Sequence, residues 1–287
     1  MEQFKLIQQI SSVKKMQQFS LSLKRKGMKI SFVPTMGALH KGHLSLVKKA
    51  KKLGDFVVVS IFVNPTQFGP KEDYKKYPRD LKKDKELLQQ AGCDLIFAPK
   101  VTDIYPEGYL TYVDVEKLSE KLEGASRPAH FKGVCTIVAK LFNIVQPDFA
   151  IFGQKDAQQA VMIKKMTEDL NFTVKIIVSP TIREKDGLAC SSRNSYLNSE
   201  ERNQATILYQ SLKLGGKMIK AGEKNPQKVV RKMKELINQR KLAKIDYITL
   251  TDIKGLEPVK EIKGELLLSL AVKFGKTRLI DNLKIRV

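Results

Sequence analysis

The chain has 287 residues, of which 42% are hydrophobic, and a formal net charge of +22 at pH 7. This length and hydrophobic content support a full globular core, so they exclude an intrinsically disordered chain and a small disulfide-stapled one. No apolar run approaches the roughly 20 residues that span a bilayer, and residues 1–26 lack a signal-peptide core, so we expect a cytoplasmic protein without a membrane partner.

The positive charge has two interpretations, a nucleic-acid partner or a solvated lysine-rich surface. Lysine dominates over arginine, and lysine pairs recur along the whole chain on the polar faces of predicted helices. We therefore favour the solvated surface and predict no nucleic-acid partner. The cysteines Cys93, Cys135 and Cys190 are far apart and odd in number, which indicates reduced thiols rather than disulfides or a zinc site.

Strands and helices alternate along the first two thirds of the chain. The predicted helices cover residues 4–26, 44–53, 81–91 and 134–145, and another opens at 153–156. Apolar β-branched runs predict buried strands at 30–33, 55–63, 94–98, 149–152 and 174–178. A turn is expected at 105–108 and a polar loop at 123–132. The alternation predicts an α/β domain with a parallel sheet.

The pattern changes after Pro180. Two polar helices, at 199–220 and 226–240, precede strands at 246–250, 266–273 and 277–280. Helices followed by strands predict a smaller α+β domain. We place the two domains at residues 1–182 and 183–287.

The stretch PTMGALHKGH (34–43) lies where a predicted strand gives way to a helix. Gly37 and Gly42 let a ligand approach the backbone, and a helix N-terminus offers N–H groups and partial positive charge. His40 and His43 can donate to phosphate oxygens and stabilise charge that develops there. An ordinary turn is the alternative, but two of the chain's three histidines fall here, which favours a phosphate site.

Three further polar segments follow predicted strands. Lys155, in GQKD (153–156), can hold a phosphate as a point charge, although a capped helix start explains the same pattern. The segment SSRN (191–194) can wrap a triphosphate or form a polar linker. Asn64 and Gln67 offer neutral amides suited to a hydroxyl or carboxylate substrate, or to an ordinary turn.

Two other features are weaker candidates. Gln158 and Gln159 lie one turn inside the helix that opens at 153–156, where an amide can fix a small polar substrate or face solvent. Arg127 and His130 are candidates for a lid or interface loop. Because the stronger candidates lie at or just beyond the carboxyl ends of predicted strands, we expect them to share one cleft.

Together these motifs give a sequence that resembles the pantothenate synthetase (pantoate–β-alanine ligase) family from end to end. The matching stretches are PTMGALHKGH (34–43), SIFVNPTQFG (60–69), FGQKDAQQ (152–159), IREKDGLACSSRNSYL (182–197) and GKTRLIDN (275–282). The first belongs to the wider class of HxGH nucleotidyltransferases. The resemblance implies a Rossmann-like N-terminal domain, a smaller α+β C-terminal lid domain and a homodimer.

The resemblance also implies the reaction, an ATP-dependent ligation in pantothenate biosynthesis. ATP would adenylate the carboxylate of (R)-pantoate and release diphosphate. The amine of β-alanine would then attack pantoyl adenylate to give pantothenate and AMP. Mg2+ would arrive with ATP, since it prefers phosphates and water, and we assign it no protein ligands.

The residues that the resemblance implies fall into three groups. His43 would be the proton donor, and His40, Lys155 and Arg193 the other catalytic groups. The substrates pantoate and β-alanine would be contacted by Gln67, Gln159 and Asn64. The ATP site would be lined by Met36, Gly37, Ala38, Leu39, His40, Lys41, Gly42, His43, Gly153, Gln154, Lys155, Asp156, Ile182, Cys190, Ser191, Ser192 and Arg193.

Two positions depart from the family pattern. Cys190 stands where the family usually has methionine, and because both side chains are soft and apolar, packing against adenine should survive. Gln154 replaces the commoner glutamate beside the lysine, which removes one negative charge near the phosphates. We expect activity to be retained.

Two other functions compete with the ligase. A pantetheine-phosphate adenylyltransferase-like enzyme would keep residues 34–43 but adenylate a phosphate, and the segments 190–193 and 275–282 argue against it. An RNA-binding protein derived from a synthetase-like fold would explain the charge. The sequence, however, lacks a clustered basic and aromatic patch that stacks bases, so we favour the ligase.

Overall fold

A computed structural model of the chain describes residues 7–70 and 72–287. The chain forms two compact units. The first holds the residues up to Gly153 together with Met162–Ser179, and the second holds Gln154–Val161 and Pro180–Val287. The domain boundary at residues 182 and 183 stays a prediction.

The first unit is built on a six-stranded parallel sheet. Its strands are β1 (Gln8–Ile10), β2 (Ile30–Thr35), β3 (Phe56–Ile61), β4 (Leu95–Phe97), β5 (Phe149–Gly153) and β6 (Lys175–Ser179). They lie in the order β1-β4-β3-β2-β5-β6. The central strands carry buried aliphatic and aromatic side chains on both faces, as a parallel sheet covered by helices requires. The predicted α/β fold with a parallel sheet is confirmed.

Seven helices are described in residues 7–179, besides a short 3₁₀ turn at Pro65–Gln67 and another at Gln154–Asp156. They are α1 (Val13–Arg25), α2 (Lys41–Lys51), α3 (Leu81–Ala91), α4 (Val101–Ile104), α5 (Glu123–Ser126), α6 (His130–Val145) and α7 (Ala157–Asp169). Helix α3 has the predicted bounds and ends at Gly92, whose φ of 85° is left-handed. Such a C-terminal glycine carries no steric penalty there.

The strand order reverses direction at β2, which lies between β3 and β5. From β2 the chain continues to β3 on one side of it, and the later strands β5 and β6 lie on its other side. The carboxyl ends of β2, β3 and β5 therefore meet at a topological switch point, where open α/β sheets bind ligands. The stretches that begin at Pro34, Pro65 and Gly153 all leave the sheet at this edge.

The helix predicted over residues 4–26 is wrong in its first part. Residues 1–6 lie outside the described residues, and Gln8–Ile10 form strand β1, which pairs with β4. Helix α1 begins at Val13, where the side chain of Ser12 accepts a hydrogen bond from the Lys15 N–H at 3.3 Å. Because this strand has three residues, two of them glutamine, it shows no clear alternation of apolar and polar residues. Only its pairing with β4 in the folded chain identifies it as a strand.

The polar loop predicted over residues 123–132 is also wrong. Glu123–Ser126 form helix α5, and α6 already begins at His130. The N-cap of α6 is Ala129, which has a left-handed φ of 63° and makes no side-chain capping bond. The usual serine, threonine or aspartate signal for a helix start is therefore missing at this position.

The second unit contains an antiparallel sheet in the order β7-β8-β9, formed by Ala243–Asp252, Glu265–Phe274 and Thr277–Arg286. Its helices are α8 (Ser199–Gln204), α9 (Ile207–Lys220) and α10 (Pro226–Ile237). The single helix predicted over 199–220 is thus two, interrupted at Ala205 and Thr206. The predicted smaller α+β unit is confirmed, because a buried aliphatic core joins its helices to this sheet.

The lysine-rich surface agrees with the sequence. The lysine pairs 48–49, 51–52 and 82–83 are exposed, as a solvated lysine-rich surface requires. Cys93, Cys135 and Cys190 are buried, and none of the three is joined in a disulfide. Burial raises the pKa of the Cys93 and Cys135 thiols to about 12. Within residues 7–70 and 72–287, no helix combines the length and the apolar character needed to cross a membrane.

Candidate nucleotide and substrate site

The stretch 34–43 leaves the carboxyl end of β2 and becomes the first turn of α2. His40 is the N-cap of α2, with an extended backbone, and its Nδ1 accepts a hydrogen bond from the Gly42 N–H at 3.1 Å. Because Nδ1 is an acceptor, the ring proton of neutral His40 lies on Nε2. The ring of His43 lies one turn further on, with its centroid 4.1 Å from that of His40. The two predicted catalytic histidines therefore lie together at a helix N-terminus.

A buried aspartate holds the backbone just before this helix. Asp84, from α3, is 2% exposed and accepts hydrogen bonds from the N–H groups of Ala38 at 3.0 Å and Leu39 at 2.8 Å. Gly37 and Ala38 have left-handed φ values of 80° and 50°. A Cβ on Gly37 would lie 2.8 Å from Asp84 Oδ2, so only glycine fits between the loop and this carboxylate. Burial raises the pKa of Asp84, and its two backbone N–H donors oppose that rise.

Asp84 is absent from the residues predicted from the sequence. One signal points to it: it lies four residues before Leu88 and seven before Ala91, on the buried stripe of α3. A carboxylate on an apolar helix face must find hydrogen-bond donors when it is buried. The sequence does not show that these donors lie 45 and 46 residues earlier in the chain.

Asn64 and Gln67 follow the carboxyl end of β3, and both are buried. The Asn64 amide donates to Gln67 Oε1 and to the Gly133 carbonyl oxygen, each at 3.1 Å. Its Oδ1 accepts from the Tyr105 hydroxyl at 2.8 Å and the Thr66 hydroxyl at 3.0 Å. These bonds use both donors and both acceptor positions of the Asn64 amide. In this arrangement Asn64 orients Gln67.

The side chain of Gln67 turns towards the nucleotide stretch of the first unit. Its Nε2 donates to the sulfur of Met36 at 3.1 Å. This contact joins the substrate candidate to the predicted ATP-binding loop. Thioether sulfur is a weak acceptor, so a stronger acceptor such as a carboxylate or hydroxyl oxygen can replace it. The geometry suits a neutral group that changes partner when a small polar substrate binds.

The backbone of Gln67 is held from the other side by His130 and Arg127. The His130 Nδ1 lies 2.7 Å from the Gln67 carbonyl oxygen, and its Nε2 lies 2.9 Å from Arg127 Nη1. A guanidinium only donates, so Nε2 accepts and Nδ1–H donates to Gln67. Arg127 also forms a two-point ion pair with Glu72, at 2.8 and 2.7 Å. The weak sequence candidates Arg127 and His130 thus contact a predicted substrate residue.

In the second unit, Gln154–Asp156 form a 3₁₀ turn directly after β5. The Lys155 ammonium lies 3.3 Å from Asp156 Oδ1, and the lysine side chain is 20% exposed. Gln159 is half-buried on α7, whereas its neighbour Gln158 is buried. Asn282, on β9, donates to the backbone carbonyl oxygens of both Gln154 and Lys155. The predicted phosphate lysine therefore sits on a turn that is tied to another part of the same unit.

The segment 182–193 folds as a tight hairpin followed by a 3₁₀ turn. The Cys190 N–H donates to the Ile182 carbonyl oxygen at 2.9 Å, so these two predicted nucleotide residues are neighbours. Gly187 provides the left-handed turn residue, with a φ of 95°. The hydroxyl of Ser191 accepts from the Arg193 N–H at 3.3 Å and caps the turn Ser192–Tyr196.

The thiol of Cys190 is 3% exposed and donates to Glu184 Oε1 at 3.4 Å. Within the second unit, the hairpin and the Lys155 turn both contact β9. Within the first unit, the stretch 36–43 contacts Gln67 through Met36. The structure therefore brings together Met36 and Gln67 within the first unit, and it places the Lys155 turn and the hairpin against the same strand within the second.

Comparison with known proteins identifies the family. A family model described as pantoate-beta-alanine ligase matches residues 8–284. The chain belongs to the pantoate–β-alanine ligase family. A pantothenate synthetase from Pelotomaculum thermopropionicum is 54% identical over 272 residues, which are 95% of this chain and 96% of the relative. Another from Moorella thermoacetica is 53% identical over 282 residues, covering 98% and 99%.

Solved structures of the family have the same fold. The pantothenate synthetase of Thermus thermophilus matches with a TM-score of 0.93 and 44% identity, over 98% of this chain and 100% of that one. The pantoate-beta-alanine ligase of Francisella tularensis, complexed with beta-gamma ATP and beta-alanine, matches with a TM-score of 0.80 and 38% identity, over 96% and 97%. The family resemblance inferred from the motifs is confirmed.

Proposed function

We propose that the chain condenses (R)-pantoate with β-alanine through pantoyl adenylate. A carboxylate oxygen of pantoate attacks the α-phosphorus of ATP, and the bond from that phosphorus to diphosphate breaks. The β-alanine nitrogen then attacks the acyl carbon, loses a proton, and displaces AMP to give pantothenate. Membership of the family over residues 8–284 supports this reaction. The structural observation that carries it is the histidine pair at the N-terminus of α2.

The histidine pair suits adenyl transfer because attack on the α-phosphate increases negative charge on the phosphate oxygens. The N–H groups at the start of α2 and the Nε2–H of His40 are fixed before reaction, so they need little reorganisation. We assign His43 as the proton donor to the phosphates. Gly37 and Gly42 keep the backbone free of Cβ atoms beside them.

Lys155 and Arg193 contribute fixed positive charge from the second unit. Lys155 acts as a point charge on phosphate oxygens, and the planar guanidinium of Arg193 can bind two oxygens at once. Ser191 and Ser192 offer hydroxyl donors next to it. In this proposal, eight residues of the second unit contact ATP: Gln154, Lys155, Asp156, Ile182, Cys190, Ser191, Ser192 and Arg193.

Gln67 and Gln159 orient pantoate, and Gln67 also meets β-alanine. Because both are neutral amides, they bind hydroxyl or carboxylate groups without neutralising the negative charge of the attacking pantoate carboxylate. Asn64 supports Gln67 through the hydrogen bond between their side chains. Correct orientation of the two reactants removes on the order of 7–11 kcal/mol of barrier when a bimolecular step becomes effectively unimolecular.

Mg2+ accompanies ATP in this proposal, and the enzyme is a cytoplasmic homodimer. Within residues 7–70 and 72–287, no group of three or more His, Cys, Asp or Glu side chains is arranged to hold a metal ion. A cation that keeps phosphate oxygens and waters as its main ligands fits this donor set. When bound, it would neutralise phosphate charge.

Exchange of labelled diphosphate into ATP tests the first step. We expect exchange with pantoate and Mg2+ in the absence of β-alanine. His43→Asn and His40→Asn should each lower its rate by about 10²–10³, the usual effect of losing one fixed donor. Asparagine is a good N-cap, so His40→Asn should keep helix α2 intact.

Three results would contradict the scheme. Exchange that requires β-alanine would exclude a free-standing adenylation step. Exchange at wild-type rates in both histidine variants, with unchanged melting temperatures, would remove the histidines from the chemistry. A lowered melting temperature with normal exchange in the folded fraction would instead indicate histidines that only pack.

A further inference from the structure

The stretch GKTRLIDN (275–282) has no role in the reaction described above, although it is one of the stretches in which the sequence resembles the family. It forms most of strand β9, and its last residue is Asn282. Asn282 is 5% exposed, and its amide is hydrogen-bonded to the turn that carries Lys155. Nδ2 donates to the carbonyl oxygens of Gln154 and Lys155, each at 2.9 Å, and Oδ1 accepts from Gln154 Nε2 at 3.0 Å.

The neighbouring residue, Asp281, fixes Asn282 in turn. Asp281 is 3% exposed, and its Oδ1 accepts from the Asn282 N–H at 2.8 Å. The guanidinium of Arg183 donates to both carboxylate oxygens of Asp281, at 2.5 and 2.9 Å. Arg183 also donates to the Gly187 carbonyl oxygen at 3.1 Å and lies 3.8 Å from the ring centre of Tyr209. Strand β9 therefore contacts both the Lys155 turn and the hairpin 182–190.

We propose that Asn282 is a positioning residue for Lys155. The lysine side chain has four flexible methylenes, so its ammonium is placed accurately only if its backbone is fixed. Asn282 is hydrogen-bonded to the backbone carbonyl oxygens of Gln154 and Lys155, at the base of that side chain. It also accepts a hydrogen bond from the side-chain amide of Gln154. It acts through Lys155, because its amide bonds the backbone of the turn that carries this lysine. This inference rests on the proposed role of Lys155 in holding phosphate.

The chemistry of the contact requires an amide. Aspartate at position 282 would still accept from Gln154 Nε2, but it would place a negative charge against two carbonyl oxygens. Alanine would leave both carbonyl groups without their donor. The amide N–H of Gln154 is the donor that Oδ1 of Asn282 uses.

A double-mutant cycle separates positioning from general stabilisation. The variants are Asn282→Ala, Lys155→Ala and the double variant, with Asn238→Ala as a matched control at an exposed asparagine after α10. Diphosphate exchange gives kcat and KM for ATP, calorimetry gives the Kd for ATP, and melting temperatures report folding. A small misplacement of a catalytic group can cost about 10²-fold, so we expect a loss of roughly 10- to 100-fold for Asn282→Ala.

The deciding result is the behaviour in the Lys155→Ala background. If Asn282 acts through Lys155, Asn282→Ala should cause no further loss there, because interacting residues are not additive. Additive losses, wild-type exchange in Asn282→Ala, or a Lys155→Ala variant with wild-type exchange would each overturn the inference. If Asn282→Ala does not fold, Asn282→Asp, which keeps the shape, completes the same cycle.

The double-mutant cycle measured on the Kd for ATP separates the test of Asn282 from the test of the proposed reaction. A wild-type protein that binds ATP but shows no pantoate-dependent exchange contradicts the proposed function, and the Kd cycle still decides the role of Asn282. We expect Asn282→Ala and Lys155→Ala to weaken ATP binding non-additively. A wild type that does not bind ATP overturns both proposals.

Discussion

At the residue scale, the side chains that were predicted to face ligands are held by other side chains. Of these supports, the sequence singled out Asn64 and His130 but neither Asp84 nor Asn282. Gln67 is held by Asn64 and His130, the 34–43 stretch by Asp84, and the Lys155 turn by Asn282. The ligand-facing groups carry chemistry in their residue type, so a single sequence suggests them. The two supports that the sequence did not single out are an ordinary aspartate, Asp84, and an ordinary asparagine, Asn282, and they act through contacts with distant parts of the chain.

Gln67 distinguishes the acyl-substrate side of the site from the ATP side. Gln67→Ala should lower pantoate-dependent exchange by at least about 10²-fold, because it removes an orienting amide, while the Kd for ATP changes little. Its side chain meets the ATP stretch through the weak bond to Met36 sulfur. Calorimetry and exchange measure the two effects, and Gln90→Ala, at an exposed glutamine of α3, is the matched control. Equal collapse of ATP binding would place Gln67 on the nucleotide side.

Asp84 gives a prediction for the nucleotide loop. In Asp84→Asn the new NH2 group would face one of the two N–H donors of Ala38 and Leu39, so the loop should shift and exchange should fall about 10- to 100-fold. The control is Asp80→Asn on the same helix. Asp80 caps α3 by accepting from the Lys83 N–H at 3.0 Å, and asparagine caps equally well. An Asp84→Asn variant with unchanged exchange and unchanged KM for ATP would contradict this role.

The Glu72–Arg127 ion pair should make stability depend on pH. Burial raises the pKa of Glu72, but the hydrogen bonds and positive charge of Arg127 lower this pKa by a larger amount. The net pKa is therefore below the ordinary value of 4.5. A depressed carboxyl pKa contributes stability that is present above the unfolded-state pKa and is lost as the pH falls through the folded-state pKa. The melting temperatures of wild type and Glu72→Gln should therefore differ at pH ~7 and converge towards pH ~3. A difference that stays constant over this range would contradict the assignment.

At the element scale, the long periodic segments were predictable and the short ones were not. Helices α2, α3 and α6 and strands β2, β3 and β5 have strong hydrophobic patterns, because one face or both faces are buried. Strand β1 has three residues and depends on pairing with β4. Helix α6 begins after a left-handed alanine rather than a capping side chain, so its start could not be recognised.

Packing between α6 and the turn Pro65–Gln67 gives a prediction at this scale. A Cβ on Gly133 of α6 would overlap the Thr66 carbonyl oxygen and lie 2.7 Å from the Gln67 backbone nitrogen. Helix propensity alone favours alanine over glycine by about 1 kcal/mol. We expect Gly133→Ala to lower the melting temperature and pantoate-dependent exchange, because backbone atoms must move. A stabilised variant with normal exchange would contradict the close packing.

At the scale of the whole molecule, the proposed reaction draws on residues of both units. The histidine pair and Gln67 belong to the first, and Lys155, Gln159 and Arg193 to the second. The family match and the relatives cover nearly the whole chain, so both units belong to the same enzyme family. The net charge of +22 is distributed over exposed lysines. The absence of a nucleic-acid partner, the dimer and the cytoplasmic location stay predictions.

The central claim is that an oxygen of pantoate becomes bonded to the α-phosphorus of ATP. It is tested most directly with pantoate whose carboxylate carries ¹⁸O in both positions, incubated with ATP, Mg2+ and β-alanine. Pantoyl adenylate transfers one carboxylate oxygen to AMP when the amine displaces it, and the other remains in the amide. Mass spectrometry should therefore find one ¹⁸O in AMP and one in pantothenate. Label in diphosphate or inorganic phosphate, with none in AMP, would contradict the acyl-adenylate mechanism.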